Sequence, residues 1–324
     1  MSSGWTPGKL TEEEIADGEA YHRALYHSGD INQPANWHKE SVKPLIEGAM
    51  DNISEGSLVV DYGTGTGGSA IELLKKLDES GMTIDLVLID PLVSWFAKAW
   101  EILGHRERVH FELSISKEKS GQIIFRRLEE MLEGRKADVI ISSSTLHLVP
   151  AKAMNDLAIQ FAGSLSDDGV LIWDSGDLES DFRPINSSLL HDPYRAVREI
   201  LRDNSQRIEI LSRLSNEESN KSEKRLDRIF PLPFPVEVII DSMREAGFNT
   251  EISEKVVKFE NDDAERFVLV PRLAEIAAPL IKGKERDNEI KKALKIALRR
   301  IADDGRGTDS SYRSHWIYGT HRLS

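Results

Sequence analysis

Asp61-Tyr62-Gly63-Thr64-Gly65-Thr66-Gly67-Gly68 is the stretch of this chain whose residue types and spacing speak most directly to chemistry. It fits G-x-G-x-x-G through Gly63, Gly65 and Gly68, and D-x-G-x-G-x-G with an acid in front. Glycine at such points lets a backbone turn sharply and approach a bound molecule with no Cβ in the way. A βα turn with spare glycines would carry the same letters, so the neighbouring acids have to decide. Asp61 stands two residues before the first glycine, where a carboxylate would repel a pyrophosphate seated at a helix N-terminus. Asp90 follows the glycines by about twenty residues, where an acid at a strand end can accept both hydroxyls of a ribose.

A ribose-bearing ligand with positive charge and no phosphate suits both acids. S-adenosylmethionine (SAM) is such a ligand, carrying a sulfonium and an ammonium that Asp61 favours. The competing reading is an NAD(P)-dependent oxidoreductase. It is disfavoured by Asp61 and by the lack of a Tyr-x-x-x-Lys pair, since no Tyr has Lys four positions later.

These acids need a sheet edge to stand on, and the surrounding pattern supplies one. Leu58, Val59 and Val60 form a short apolar run, and Ala70, Ile71, Leu73, Leu74 and Leu77 recur at helical spacing. The alternation continues with strands over 83–90, 108–114, 137–143 and 169–176 and helices over 91–103, 121–134 and 151–165. Strands rich in Val, Ile and Leu between helices indicate a parallel sheet covered on both faces, hence a doubly wound α/β fold. Ahead of it, Thr11-Glu12-Glu13-Glu14 starts a capped helix, and another spans 39–50. Behind it, 236–248 reads as a core helix with Gly247 near its C-cap. A strand is expected over 249–259, helices over 264–281 and 288–302, and a last strand over 311–323. The organisation is a helical N-terminal cap (1–40), a core (41–178), a helical lid insertion (179–235) and the remainder of the core (236–324).

Composition removes several classes of function. A net charge of −13 argues against a nucleic-acid partner, because phosphates are bound by Lys and Arg. The absence of cysteine excludes disulfides, thiolate metal sites and cysteine nucleophiles. No leader pattern opens the sequence, and no apolar run nears the roughly 18 residues of a membrane span, so a cytoplasmic protein is expected.

The stretch 57–178 resembles the class I SAM-dependent methyltransferases, through Val59-Val60-Asp61-Tyr62-Gly63-Thr64-Gly65-Thr66-Gly67-Gly68, through Asp90, and through 137–149 and 165–177. The resemblance implies a seven-stranded Rossmann-like sheet, with 311–323 as its antiparallel seventh strand, and SAM as cofactor. It places Asp61, Tyr62, Gly63, Thr64, Gly65, Gly67, Asp90, Pro91 and Ser143 around that cofactor. Many members carry an acid after the third strand that contacts adenine; here 112–120 reads Glu-Leu-Ser-Ile-Ser-Lys-Glu-Lys-Ser, and that contact has no obvious residue.

The acceptor side is narrowed by exclusion. Ser143-Ser144-Thr145-Leu146 is not the Pro-Pro-aromatic motif of amino-methylating DNA enzymes, and cysteine-dependent methylations are ruled out. Metal-chelating relatives need carboxylates after strands four and five, where only Asp174 and Asp177 stand near, so no metal is expected. What remains is O-, N- or C-methylation of a small molecule, with a macromolecular acceptor or a noncatalytic SAM-binding scaffold as alternatives. His147, just past strand four, is the candidate general base, set against simple packing in its loop. Tyr21, His22, Tyr26, His27 and Trp37 form either a closing segment or an amphipathic helix packed on the core. His191 and Tyr194 read as surface residues around a Pro-led turn. Lys291, Lys292, Lys295, Arg299 and Arg300 read as a solvated face or a homodimer contact.

Overall fold

The computed structural model describes residues 4–117, 122–202, 232–279 and 281–324. Its centre is a sheet of order β3-β2-β1-β6-β7-β9-β8. The strands are β1 Leu58–Tyr62, β2 Asp85–Asp90, β3 Val109–Leu113, β6 Ala137–Ser143, β7 Leu165–Ser175, β8 Phe248–Glu260 and β9 Ser311–Leu323. β1, β2, β3, β6 and β7 run parallel, while β9 runs antiparallel between β7 and β8. Chain order reverses between β1 and β6, and it is outside the carboxyl ends at such a switch point that doubly wound sheets bind ligands.

Burial on both faces explains the near-continuous apolar strands. Val59, Leu86, Leu88, Val139, Ile141, Val170 and Ile172 point to one core, with Leu45, Ile46, Leu73 and Leu77 from the covering helices. Val60, Val87, Ile89, Ile140, Leu171 and Trp173 point to the other, against Leu157, Ala158 and Phe161. On the first side lie α1 Glu12–Leu25, α2 Asn36–Met50, α3 Gly68–Ser80 and α4 Val93–Leu103. Thr11 caps α1 through a capping box with Glu14, as its sequence predicts.

The expected helix over 121–134 is a correction. Ile123–Phe125 forms β5, paired antiparallel with β4 Ile115–Lys117, and only α5 Leu128–Met131 is helical. Two β-branched residues and a Phe suit that hairpin, and Ile123 and Phe125 face outward, so no helical core face exists there. On the other side of the sheet, α6 Met154–Ser164 packs against α8 Glu237–Glu245, which ends at Gly247 with φ +92. The helix expected over 264–281 is split into α9 Asn261–Val268 and α10 Pro271–Ala277, because Pro271 starts a new helix at its N1 position.

α11 Gly283–Asp303 buries Ile290, Leu294, Ala297 and Ile301 and exposes Lys292 and Arg299, so its cations form a solvated face. It packs on α7 Asp192–Arg202, which falls within the segment expected to form a lid. The rest of the expected lid, 203–231, lies outside the described residues. Ser188 is tied to the sheet, since His315 N–H donates to its carbonyl at 2.9 Å. No described helix is long and apolar enough to cross a membrane.

Candidate functional site

The glycine loop closes β1 and opens α3 at the point where chain order reverses. Gly63, Gly65 and Gly67 all have positive φ (82, 56 and 90), the left-handed region that residues with a Cβ disfavour. The loop is pinned from β2, where the Ile89 carbonyl accepts the Gly63 N–H at 2.8 Å, and from β1, where the Asp61 carbonyl accepts from Thr64 Oγ1. Thr145 Oγ1, from the segment after β6, donates to the Gly63 carbonyl at 3.2 Å.

Asp61 is fully buried, and Ser69 Oγ donates to its Oδ2 at 2.9 Å. Its Oδ1 is buried without a hydrogen-bond partner. Asp90, also buried, accepts the Gly65 N–H at 2.7 Å and the Leu92 N–H at 2.6 Å. A carboxylate has about four lone-pair sites, so capacity for further donors remains. Burial raises Asp61 to about 7, helped by the neighbouring Asp90 charge and opposed by the Ser69 hydrogen bond. Burial likewise raises Asp90 to about 6 against the two backbone donors.

Two further features of this edge lie outside the expected cofactor residues. Tyr21 of α1 and Trp95 of α4 stack at 3.8 Å and 13° beside Gly65, and Trp95 Nε1 is buried without a partner. Asp174, fully buried at the end of β7, accepts from Ser143 Oγ, Ser144 N–H and Ser144 Oγ. Burial raises it to about 7, and the Asp61 charge adds to the rise. An acid closing the apolar run Val170-Leu171-Ile172-Trp173 was the available signal for Asp174. Nothing in the sequence pairs Tyr21 with Trp95. Ser144 has φ +49, a strained conformation for a residue with a Cβ at a sheet edge where ligands bind.

The expected site residues divide accordingly. Asp61, Gly63, Thr64, Gly65, Gly67 and Asp90 come together around the loop. Ser143 is engaged with Asp174, Pro91 is exposed at the rim, and the Tyr62 ring packs edge-on against Phe161. Ser114 is buried where an adenine-contacting acid would follow β3.

His147 belongs to a second group. It is 3 % exposed; its Nδ1 lies 3.0 Å from Ser175 Oγ and its Nε2 3.3 Å from His191 Nε2. Burial lowers His147 to about 4 and His191 to about 3, so both rings are neutral at pH 7. Asp177 accepts the backbone N–H of His191 at 3.1 Å and a two-pronged Arg195 contact at 2.8 and 3.0 Å. Burial would raise Asp177, but the facing His191 and the Arg195 guanidinium pull it down to about 2. The surface reading of His191 and Tyr194 is a correction: they are 3 % and 1 % exposed. Their turn is held inward because Leu190 N–H donates to the Gly176 carbonyl at 2.6 Å.

The other aromatic candidates serve packing. Tyr26 donates to the Gly68 carbonyl at 3.1 Å and ties α1 to α3, with His22 and His38 buried beside it. His315, Trp316, Tyr318 and His321 are all buried in β9, where Tyr318 donates to the Ser41 carbonyl.

No family model and no curated protein matches the sequence. Solved structures do match the fold. A candidate sarcosine dimethylglycine methyltransferase from Galdieria sulphuraria superposes with a TM-score of 0.51 at 11% identity, covering 95% of this chain and 98% of that one. A cyclopropane synthase from Mycobacterium tuberculosis gives 0.50 at 14% identity, covering 97% and 100%. The YcgJ protein of Bacillus subtilis gives 0.51 at 13% identity, covering 89% and 100%. The fold is the Rossmann-like fold of class I methyltransferases.

Proposed function

We propose that this chain is a SAM-dependent methyltransferase acting on an O, N or C atom of a small molecule. The observation that carries the reading is the pair of buried acids around the glycine loop, with Asp61 Oδ1 left without a partner. A buried carboxylate oxygen in that condition is costly, and a cationic ligand beside it relieves the cost. Asp61 would therefore answer the positive methionine end of SAM, directly or through water. Asp90 would accept the ribose hydroxyls on its remaining lone pairs. Gly63, Gly65 and Gly67 supply the left-handed turns that shape the loop, and Thr64 fixes its start. Pro91 and Ser143 would stand at the rim, the Tyr62 backbone would border the loop, and the Tyr21–Trp95 pair offers an aromatic wall. An NAD(P) pyrophosphate at this loop would sit against Asp61, which speaks against that alternative.

SAM supplies an electrophilic methyl group on a sulfonium. Transfer is an in-line displacement, so the protein's contribution is largely to hold the acceptor in line and exclude water. His147, beyond β6, would help to orient the acceptor.

A thermal melt of the full chain with SAM, S-adenosylhomocysteine, NAD⁺ or NADP⁺ tests this. A ligand at a hundredfold excess over Kd adds about 2.7 kcal/mol of stability. SAM and S-adenosylhomocysteine should raise the melting temperature, and Asp90→Ala should abolish the rise. A shift from a nicotinamide nucleotide alone would overturn the proposal.

A further inference from the structure

We infer that His147, Asp177 and His191 form a binding site for one divalent transition-metal ion of the zinc type. The three residues come from different elements, after β6, after β7 and at the start of α7, and all are buried. One ring nitrogen of each histidine and a carboxylate oxygen of Asp177 lie within 4.8 Å of one another. The two Nε2 atoms face each other at 3.3 Å. Bonds of about 2.0–2.1 Å to a tetrahedral zinc ion put neighbouring ligand atoms about 3.3 Å apart, so this pair already has the spacing of two cis ligands. Two imidazoles and one carboxylate suit zinc or a similar transition metal, whereas magnesium and calcium take oxygen ligands. Such a donor set leaves at least one position for water or for a donor atom of the acceptor.

The surroundings orient the ligands. Ser175 Oγ stands at His147 Nδ1, where an N–H donated to the hydroxyl would leave the lone pair on Nε2. That hydroxyl already accepts the Asp177 N–H at 3.1 Å, which links the two ligands through one serine. Phe267 stacks on the His191 ring at 5.3 Å and 19°. Asp177 is paired with Arg195, and that pairing competes with an ion. Arg195 also reaches Asp192 at 3.2 Å, so it keeps a carboxylate partner when Asp177 turns toward the metal. The rival account is a metal-free N–H···N hydrogen bond between the imidazoles.

The site is independent of SAM, so it is tested without it. Chelator-treated full-length protein is titrated with Zn²⁺ by calorimetry and with Co²⁺ by visible absorption. The expected results are one ion per chain and the intense d–d bands of a four- or five-coordinate Co²⁺. His147→Gln and His191→Gln, each shown by a cooperative melt in chelator to be folded, should weaken binding at least a hundredfold. Asp90→Ala should bind Zn²⁺ as the parent does, which separates failure here from failure of the SAM reading. The weak bands of aquated Co²⁺ with the parent protein, or equal Zn²⁺ binding by both folded histidine variants, would overturn the site.

Discussion

The two polar groups at the carboxyl edge of the sheet are built on opposite plans. At β1 and β2 the backbone makes the cradle: three glycines turn in the left-handed region, and buried atoms such as Asp61 Oδ1 and Trp95 Nε1 lack partners. Beyond β6 and β7 side chains make the cluster, and Asp177 has its carboxylate answered by the Arg195 guanidinium and by the backbone N–H of His191. The first group leaves buried polar atoms unanswered by the protein. The second holds together by internal pairing, with an ion able to replace the contact between its two imidazoles.

One substitution made at both edges, in ligand-free protein treated with chelator, separates the two plans. Asp177→Asn strips Arg195 of its buried partner. Removing one member of a buried ion pair costs about 3–5 kcal/mol, and because Asp192 remains, the lower end is expected here. Asp61→Asn removes a charge that burial disfavours, while it introduces an amide donor with no acceptor. Those effects offset to within about 1 kcal/mol, and the response to SAM is lost. Urea denaturation of both variants checks this; equal losses would show that the two groups are held alike.

Next in size is Gly63→Ala. The loop has φ +82 there, and an added Cβ would stand 2.7 Å from Thr145 Cβ, with the Thr145 hydroxyl and methyl closer still. Left-handed strain and overpacking together should cost about 2–4 kcal/mol. Thr145→Gly combined with Gly63→Ala should recover the overpacking part and leave the strain. A double-mutant cycle on the denaturation midpoints measures that coupling.

The same contrast explains what could be read from the sequence. The glycine loop, Asp90 and the parallel strands are written in local letters: a turn, a run of Val and Ile, an acid at a strand end. His191 lies 44 residues from His147 and meets it only because Gly176 and Leu190 close the intervening turn. No periodicity records such a meeting, and Pro193 made the segment look like surface. Tyr21 and Trp95 stack because α1 crosses α4, a packing choice that spacing within either helix leaves open. The β4–β5 hairpin was missed for a related reason. Ile123, Ile124 and Phe125 fit a helix by hydrophobicity, and only their pairing with Ile115–Lys117 selects the strand.

The smallest predicted effect is a pH dependence of ligand binding confined to the glycine edge. In the ligand-free fold Asp61 sits at about 7 and Asp90 at about 6, both raised from 3.8. A raised acid favours the protonated form on folding, so its stabilising contribution is full below about 3.8 and is lost as pH climbs through 6 to 7. On this account the ligand-free protein loses stability between pH 5 and 7.5, and Asp174, also near 7, adds to the trend. SAM reverses the preference, because its cationic end calls for ionised Asp61. Binding must then release a proton, and affinity falls as pH drops below 7. Each group coupled to binding weakens it by at most tenfold per unit, about 1.4 kcal/mol. Melts with and without SAM between pH 5 and 7.5, where the ligand's own ammonium stays largely protonated, should show the SAM-induced shift shrinking toward acid. A shift independent of pH would mean that the methionine end of SAM does not rest against Asp61.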